Sequence, residues 1–324
     1  MQTQTQQNPL RHLGQTDIQV SPIGLGVMEF SGGGPLLGRA FPVIPQDTKN
    51  AIVQAALDGG INWFDTAEMY GMGESERSLA AALHAAGKSD DDVVVATKWM
   101  PFPRTAANIP KTIDNRLRAL DGYSIDLYMV HQPWSFSPPE AEMNAMADLA
   151  EAGKIRAVGV SNFSPQQMRR ASRALRQRGL VLASNQVKYS LLDRKIERDG
   201  TLETARELGV TIIAYTPLES GLLTGKYHRA ADPQSGALAW RKWMIRRNLE
   251  RTRPLVEAME IIGQRYDATV AQVALNWLIN YSGDTVVTIP GATKVHQAQQ
   301  NAGAMAFRLT GDDMERLDEL SQLA

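Results

Sequence analysis

Eight short apolar runs, at 23–27, 61–64, 93–97, 127–130, 155–160, 181–187, 211–215 and 286–289, punctuate the chain, with longer helix-like segments between them. Runs of this length rich in Val and Ile read as strands buried on both faces, because a strand covered twice loses its apolar–polar alternation. The intervening segments carry helix punctuation. Ser164-Pro165-Gln166-Gln167 offers a capping hydroxyl, a proline at the first helical position and the glutamine that completes a capping box, and Thr269 with Gln272 repeats the box. Asp47 is placed to cap a helix with Ile52, Ala55 and Ala56 on one face and Gly59-Gly60 at its end, while Gly153 and Gly209 end two more. Strand–helix alternation repeated eight times predicts an α/β fold, a (β/α)8 TIM barrel in preference to a doubly wound sheet. Positions 11–20 read as an N-terminal β-hairpin, 1–10 as a disordered polar tail, and 11–324 as one domain. Two connections are unusually long: 31–45, with Gly32-Gly33-Gly34-Pro35, and 222–248, with Trp240, Trp243 and a basic run. Both follow strands at the C-terminal face of the barrel, where long loops serve as lids or specificity walls.

Polar residues close the same runs. Asp65 follows 61–64, Lys98 follows 93–97 and His131 follows 127–130, with Tyr70 five residues past Asp65. The C-terminal ends of parallel barrel strands converge on one face, so these four groups are candidates for one catalytic constellation. A phenol that gives its proton to a carbonyl oxygen is helped by a cation, which at an effective dielectric of about 20 and a distance of ~4 Å is worth roughly 4 kcal/mol, or about three pKa units. The carboxylate would hold the lysine charged and aimed, and the imidazole would hydrogen-bond the substrate oxygen. Singly, each of the four reads as readily as a core residue or half of a Lys–Asp pair. Around the rest of the barrel the same strand-end positions hold Ser161 and Asn162, Gln186, Tyr215 and Pro290-Gly291, neutral groups and a flat ring suited to a carboxamide and its heterocycle. Gly291-Ala292-Thr293-Lys294, opening a helix, suits a phosphate through free backbone N–H groups and the helix dipole. Met28, Trp99 and Trp134 each lie just beyond a strand end and are candidates for lining a substrate pocket.

Composition narrows the classes. A formal net charge of −1 provides no field to gather nucleic acid or an anionic membrane, and no apolar run approaches the ~18 residues of a membrane span. The absence of Cys excludes disulfides, thiolate metal sites and cysteine nucleophiles, and together with a start lacking the regions of a signal peptide it points to the cytoplasm. The stretch from Gly221 to Tyr227 falls one residue short of a P-loop and ends in Tyr where Mg²⁺ needs Ser or Thr. Gly24-Leu25-Gly26 lacks the third glycine of a dinucleotide fingerprint, and Gly159-Val160-Ser161-Asn162-Phe163 lacks the closing glycine of a nucleophile elbow. His12, His84, His228 and His296 show no ligand spacing, so no catalytic metal is expected.

Taken together these residues resemble the aldo-keto reductase superfamily from Arg11 to about Leu320. Gly59-Gly60-Ile61-Asn62-Trp63-Phe64-Asp65-Thr66-Ala67-Glu68-Met69-Tyr70-Gly71 resembles the segment carrying that family's catalytic Asp and Tyr, Lys98 and His131 match its other two catalytic positions, and the stretch from Ala157 to Phe163 resembles its nicotinamide-binding segment. The resemblance implies that Ser161, Asn162 and Gln186 hold the carboxamide and Tyr215 stacks on the ring. It implies that Thr216, Pro217, Leu218 and the stretch from Gly221 to Lys226 cover the pyrophosphate, and that Gly291, Thr293, Lys294, Gln297, Gln300 and Asn301 form the adenosine-phosphate pocket. This pocket is closer to the bacterial, plastid and potassium-channel β-subunit branches, whose Gly-Ala-Ser/Thr it shares, than to the better-known mammalian reductases. Lys294 and Lys226 would neutralise a 2′-phosphate, which implies NADP(H), with NAD(H) as the alternative. The implied activity is reversible NAD(P)H-dependent reduction of small aldehydes and ketones, pyridoxal among them, with Tyr70 as general acid. The alternatives are a redox-sensing, cofactor-binding partner protein similar to the channel β-subunits, and a barrel lyase or isomerase with Lys98 as a Schiff base.

Overall fold

A computed structural model of the chain describes residues 9–33, 42–229 and 239–324, with backbone alone at 239–247. The tail expected at 1–10 lies almost wholly outside them, as do 34–41 of the first long connection and 230–238 of the second. The chain begins with an antiparallel hairpin of β1 (Arg11–His12) and β2 (Gln19–Val20). Then follow β3 (Leu25–Gly26), α1 (Gln46–Asp58), β4 (Trp63–Asp65), α2 (Glu74–Ala85), β5 (Val94–Trp99), α3 (Ile109–Ala119), β6 (Leu127–Val130), α4 (Pro139–Glu151), β7 (Ala157–Ser161) and α5 (Pro165–Arg176). The second half continues with β8 (Leu182–Lys188), α6 (Lys195–Arg198), α7 (Thr201–Leu208), β9 (Thr211–Tyr215), α8 (Lys226–Arg229), α9 (Ala239–Tyr266), α10 (Val270–Tyr281), β10 (Val286–Thr288), α11 (Val295–Gly303) and α12 (Gly311–Leu323).

Strands β3 to β10 pair in chain order, all parallel. The sheet closes on itself where Ile23 bridges Thr288 and Gly26 bridges Gly291, with Gly24 N donating to Thr288 O at 2.8 Å and Thr288 N to Pro22 O at 3.0 Å. Closure needs the glycine at 26, where a Cβ would stand 2.8 Å from the Ile289 carbonyl oxygen. This is the (β/α)8 barrel the alternation predicts. Period-two geometry divides its core in two. Val94, Ala96, Leu127, Met129, Ile213 and Val287 fill the lumen, where Leu13, Ile18 and Val20 of the hairpin join them, while Val95, Trp99, Tyr128 and Val130 pack outward with the helices.

The two capping boxes form: Ser164 Oγ accepts from Gln167 N while Gln167 Oε1 accepts from Ser164 N, and Thr269 and Gln272 do the same. Three local expectations differ. Four of the eight strands, β4, β5, β7 and β8, end one or two residues further along the chain, so Asp65 and Ser161 close their strands and Lys98 lies inside β5, none of them being the first residue of a loop. Asp47 sits inside the first turn of α1, whose cap position is Pro45. Residues 239–248 of the second long connection begin the 28-residue helix α9, because Ala, Arg, Lys and Met there are strong helix formers. No helix among the described residues is long and apolar enough to cross a membrane, and no group of His, Cys, Asp or Glu there could hold a metal ion.

Candidate active site

Two adjacent strands bring a carboxylate and an amine together. Asp65 closes β4 and Lys98 lies one residue from the end of β5, on the lumen side of the alternation. The Lys98 ammonium is fully buried and donates to Asp65 Oδ1 at 2.6 Å and to the Thr66 carbonyl at 2.8 Å. Asp65 is closed from the other side by Gln186 of β8, whose Nε2 donates to Oδ2 at 2.8 Å. Burial pushes Asp65 up and Lys98 down, and their contact opposes both shifts.

Tyr70 reaches the pair through an unusual turn. After it, Gly71, Met72 and Gly73 all adopt left-handed backbone conformations, with φ of 67°, 53° and 92°. Only the glycines do so without strain; Met72 is held there by the structure around it. The turn leads into α2 and lays the Tyr70 ring over the ammonium, with Lys98 Nζ 5.1 Å from the ring centroid. His131, just past β6, meets the same ring edge-on at 5.6 Å and 83°. Burial, and secondarily Lys98, drive the imidazole down to about 3, so it is neutral at pH 7, and its Nδ1 is buried with no hydrogen-bond partner. Tyr70 departs from the expectation of a lowered phenol. Burial, with Asp65, Glu29 and Tyr215, holds its proton affinity well above the usual value, and Lys98 touches the face of the ring and spends its hydrogen bonds on Asp65 and Thr66.

Ser161, Asn162, Gln186 and Tyr215 form a connected group at the ends of β7, β8 and β9. Ser161 Oγ and Asn162 N both donate to the Gln186 carbonyl at 2.9 Å, Asn162 Nδ2 donates to Ser161 Oγ at 3.1 Å, and Tyr215 O–H donates to Asn162 Oδ1 at 3.1 Å. Beyond Tyr215 the backbone turns sharply through Thr216, Pro217 and Leu218, with left-handed φ at Thr216, Glu219, Ser220 and Gly221. Gly221 is backed by Lys226, whose Cε lies 2.6 Å from where a Cβ would stand. At the other rim Gly291 faces the Glu29 carboxylate, 2.6 Å from where its Cβ would be, and Asn301 Nδ2 approaches the Gly291 carbonyl at 3.4 Å. The backbone N–H groups of Thr293 and Lys294 are not free: Gln297 Oε1 accepts both, at 2.8 and 3.1 Å. That leaves the exposed Lys294 side chain as the cationic feature of this helix start, with Gln300 half-buried further along α11.

The three pocket candidates separate. Met28 is half-buried in a turn after β3. Trp134 is 63% exposed. Trp99 is fully buried among the side chains between sheet and helices, one residue out of phase with Lys98, and so lies on the wrong side of β5 to line a pocket at the barrel mouth. Sequence reasoning passed over Glu68. Its carboxylate takes a bidentate contact from Arg104 at 2.9 Å and the Met100 N–H at 3.0 Å, tying the Tyr70 turn to the segment after β5. A carboxylate three residues past Asp65 and inside the turn was the available signal.

A sequence model of the Aldo/keto reductase family matches residues 22–322. An oxidoreductase of Mycobacterium tuberculosis is 38% identical over 308 residues, spanning 94% of this chain and 90% of that one. The chloroplastic pyridoxal reductase of Arabidopsis thaliana is 34% identical, over 93% of this chain and 83% of its own length. The solved structure of a glycerol dehydrogenase from Gluconobacter oxydans superposes with a TM-score of 0.79 at 29% identity, covering 96% of this chain and 94% of that one.

Proposed function

The chain belongs to the aldo/keto reductase family, a family of oxidoreductases acting on carbonyl compounds, and on that premise we propose that it catalyses NADP(H)-dependent reduction of small aldehydes and ketones with Tyr70 as the proton donor. The observation that carries the reading is the buried Asp65–Lys98 pair beneath the Tyr70 ring, with a neutral His131 beside it. The nicotinamide supplies or accepts hydride. Gln186 Oε1, which accepts no hydrogen bond among the described residues, together with Ser161 and Asn162 fits a carboxamide, and the Tyr215 ring at the end of β9 fits a stacking partner. The stretch around Gly221 and Lys226 fits a diphosphate, and Lys294 fits a 2′-phosphate.

A phenol held protonated by burial is suited to reduction. Its proton passes to an alkoxide as negative charge develops on the carbonyl oxygen, and an alkoxide is far more basic than a phenolate. The ammonium against the ring then stabilises the phenolate left behind. His131, neutral at working pH, donates a hydrogen bond to the same oxygen without adding a competing charge. The pyridoxal reductase among the relatives makes the aldehyde of pyridoxal a first substrate to test.

Tyr70→Phe keeps the ring and removes the donor, so kcat is expected to fall by ~10²–10⁴ with cofactor affinity nearly unchanged, measured as NADPH oxidation with aldehyde. Retention of most activity by the folded variant overturns the assignment. Lys294→Ala is expected to weaken NADPH more than NADH in fluorescence titration. Equal losses remove Lys294 from 2′-phosphate recognition.

A further inference from the structure

Gln186 stands between two parts of the site that are otherwise separate. On one side its Nε2 donates to Asp65 Oδ2, the oxygen that Lys98 does not hold. On the other, its backbone carbonyl accepts from Ser161 Oγ and Asn162 N, and Asn162 in turn receives the Tyr215 hydroxyl. Hydrogen bonds therefore connect Tyr215, Asn162, Gln186, Asp65 and Lys98 in turn, partly buried at the Tyr215 end, passing through the backbone between Asn162 N and the Gln186 carbonyl, and fully buried from the Gln186 amide to the cation under Tyr70. The direction of the amide follows from its partner: an ionised carboxylate only accepts, so the amide presents nitrogen to Asp65 and turns Oε1 away from it. An acceptor so oriented suits the N–H₂ of a carboxamide.

We propose that Gln186 is a positioning residue as well as a cofactor contact, its amide linking occupation of the carboxamide site to the ionised state and aim of the Asp65–Lys98 pair. This inference rests on the reading of the site as nicotinamide-dependent. A group donating to Oε1 polarises the amide and strengthens the Nε2 bond to Asp65, because hydrogen bonds in a chain reinforce one another. A carboxylate that accepts two good bonds stays ionised, and an ionised Asp65 keeps Lys98 charged against Tyr70. The titratable groups around this line are Asp65 on β4 with Tyr70 after it, Lys98 on β5 with Glu76 of α2 behind it, His131 after β6, Tyr215 on β9 with Lys188, Asp193 and Glu219 near it, and Glu29 after β3.

The test separates this role from simple cofactor contact. Gln186→Met keeps the length and removes the amide; Gln186→Glu places a second carboxylate against Asp65, and the two then share a proton. In the cofactor-free protein, urea unfolding of Gln186→Met, Asp65→Asn and the double variant should give non-additive losses, since the two side chains share one bond. At saturating NADPH, Gln186→Met should lower kcat at least fivefold and change its pH profile. Gln186→Glu should recover activity towards acid pH, where the shared proton restores a donor. Additive stability losses, with a raised KM for cofactor and an unchanged kcat profile, reduce Gln186 to a cofactor contact and overturn the proposal. The unfolding cycle needs no turnover, so it is read independently of Tyr70→Phe, on which the proposed reaction itself depends. If Gln186→Met does not fold, Gln186→Glu carries the decision alone: a profile parallel to wild type overturns the proposal.

Discussion

Two buried ion pairs flank neighbouring residues of β5, one on each side of the sheet. Lys98 points into the lumen and meets Asp65 at 2.6 Å; Thr97 points out towards the helices and donates to Glu76 of α2 at 2.6 Å, where Glu76 also meets Arg116 of α3 at 3.1 Å. Both pairs are almost wholly shielded from water, and both bear the desolvation cost of buried charge. They differ in how completely they are satisfied. The lumen pair is closed by Thr66 O and Gln186 Nε2, whereas Glu76 Oε2 and the Arg116 Nε and Nη1 make no well-aligned hydrogen bond, and the Tyr128 hydroxyl and Trp99 indole in the same layer are buried without one. The difference is one of use. The cation of the inner pair is aimed at the face of an ionisable ring, while the outer pair stitches α2, which leaves the Tyr70 turn, to α3 and to β5. A buried ion pair is therefore no mark of catalysis by itself; what its cation faces decides.

The comparison is broken most severely at Lys98. Lys98→Met removes the cation, keeps a long apolar chain and strands Asp65, so catalysis should fall at least as far as loss of the acid, ~10²–10⁴-fold, and stability by about 3–5 kcal/mol. Adding Asp65→Asn should return part of the stability and none of the rate. A double variant as active as wild type from acid to alkaline pH, measured as NADPH-dependent aldehyde reduction, would mean that another group supplies the proton.

The outer pair should behave in the opposite way. Arg116→Met leaves Glu76 without its cation, so the loss in urea unfolding should be small at acid pH, where Glu76 is protonated, and should grow towards about 3–5 kcal/mol as pH rises above 7 and the carboxylate is stranded. With no reacting atom near it, kcat per folded molecule should stay within about twofold. A tenfold loss of kcat without loss of stability would mean that the outer layer sets the aim of Tyr70 or Lys98 after all.

This contrast also marks what was legible in the chain. Asp65, Lys98 and His131 interrupt or end apolar runs, where a charge or imidazole has no packing reason to be, and barrel closure places all three at one mouth. The same reasoning misplaced Trp99, because nearness to a strand end along the chain ignores alternation across it, and the register that buries Lys98 in the lumen sends its neighbour to the helices. Glu76 and Arg116 were invisible for a related reason: on helices whose pattern is mixed, a charged residue reads as solvated until the packing partner is known. The start at 291–294 offered backbone donors by pattern, and only the folded chain shows the Gln297 side chain taking two of them. A glutamine three residues past a cap is a capping-box signal, and it competes directly with a phosphate for the same N–H groups.

The finest test of the contrast is pH, because the two sides of the sheet drive stability in opposite directions. His131, on the lumen side, is pushed down to about 3 by burial and by Lys98, so the fold binds fewer protons there than the unfolded chain; its contribution is present above the unfolded value of 6.5 and is lost as pH falls towards 3. Glu76, on the helix side, is raised to about 7 by burial, with Glu68 adding to the rise and Arg116 and Thr97 opposing it. The fold then binds the extra proton, so this contribution is complete below the ordinary value of 4.5 and is lost as pH rises through 7. Glu142 of α4, also raised to about 7 by burial, adds to the falling slope and is unaffected by changes at Glu76. Glu76→Gln removes one falling component and leaves the rising one from His131. The change in unfolding free energy between pH 5 and pH 7 should therefore become more favourable by about 2 kcal/mol relative to wild type. Urea titrations at pH 5, 6 and 7 measure this directly. Parallel profiles for the two proteins would place Glu76 ionised throughout, held by Arg116 as firmly as Asp65 is held by Lys98, and the distinction between the two pairs would then rest on their orientation alone.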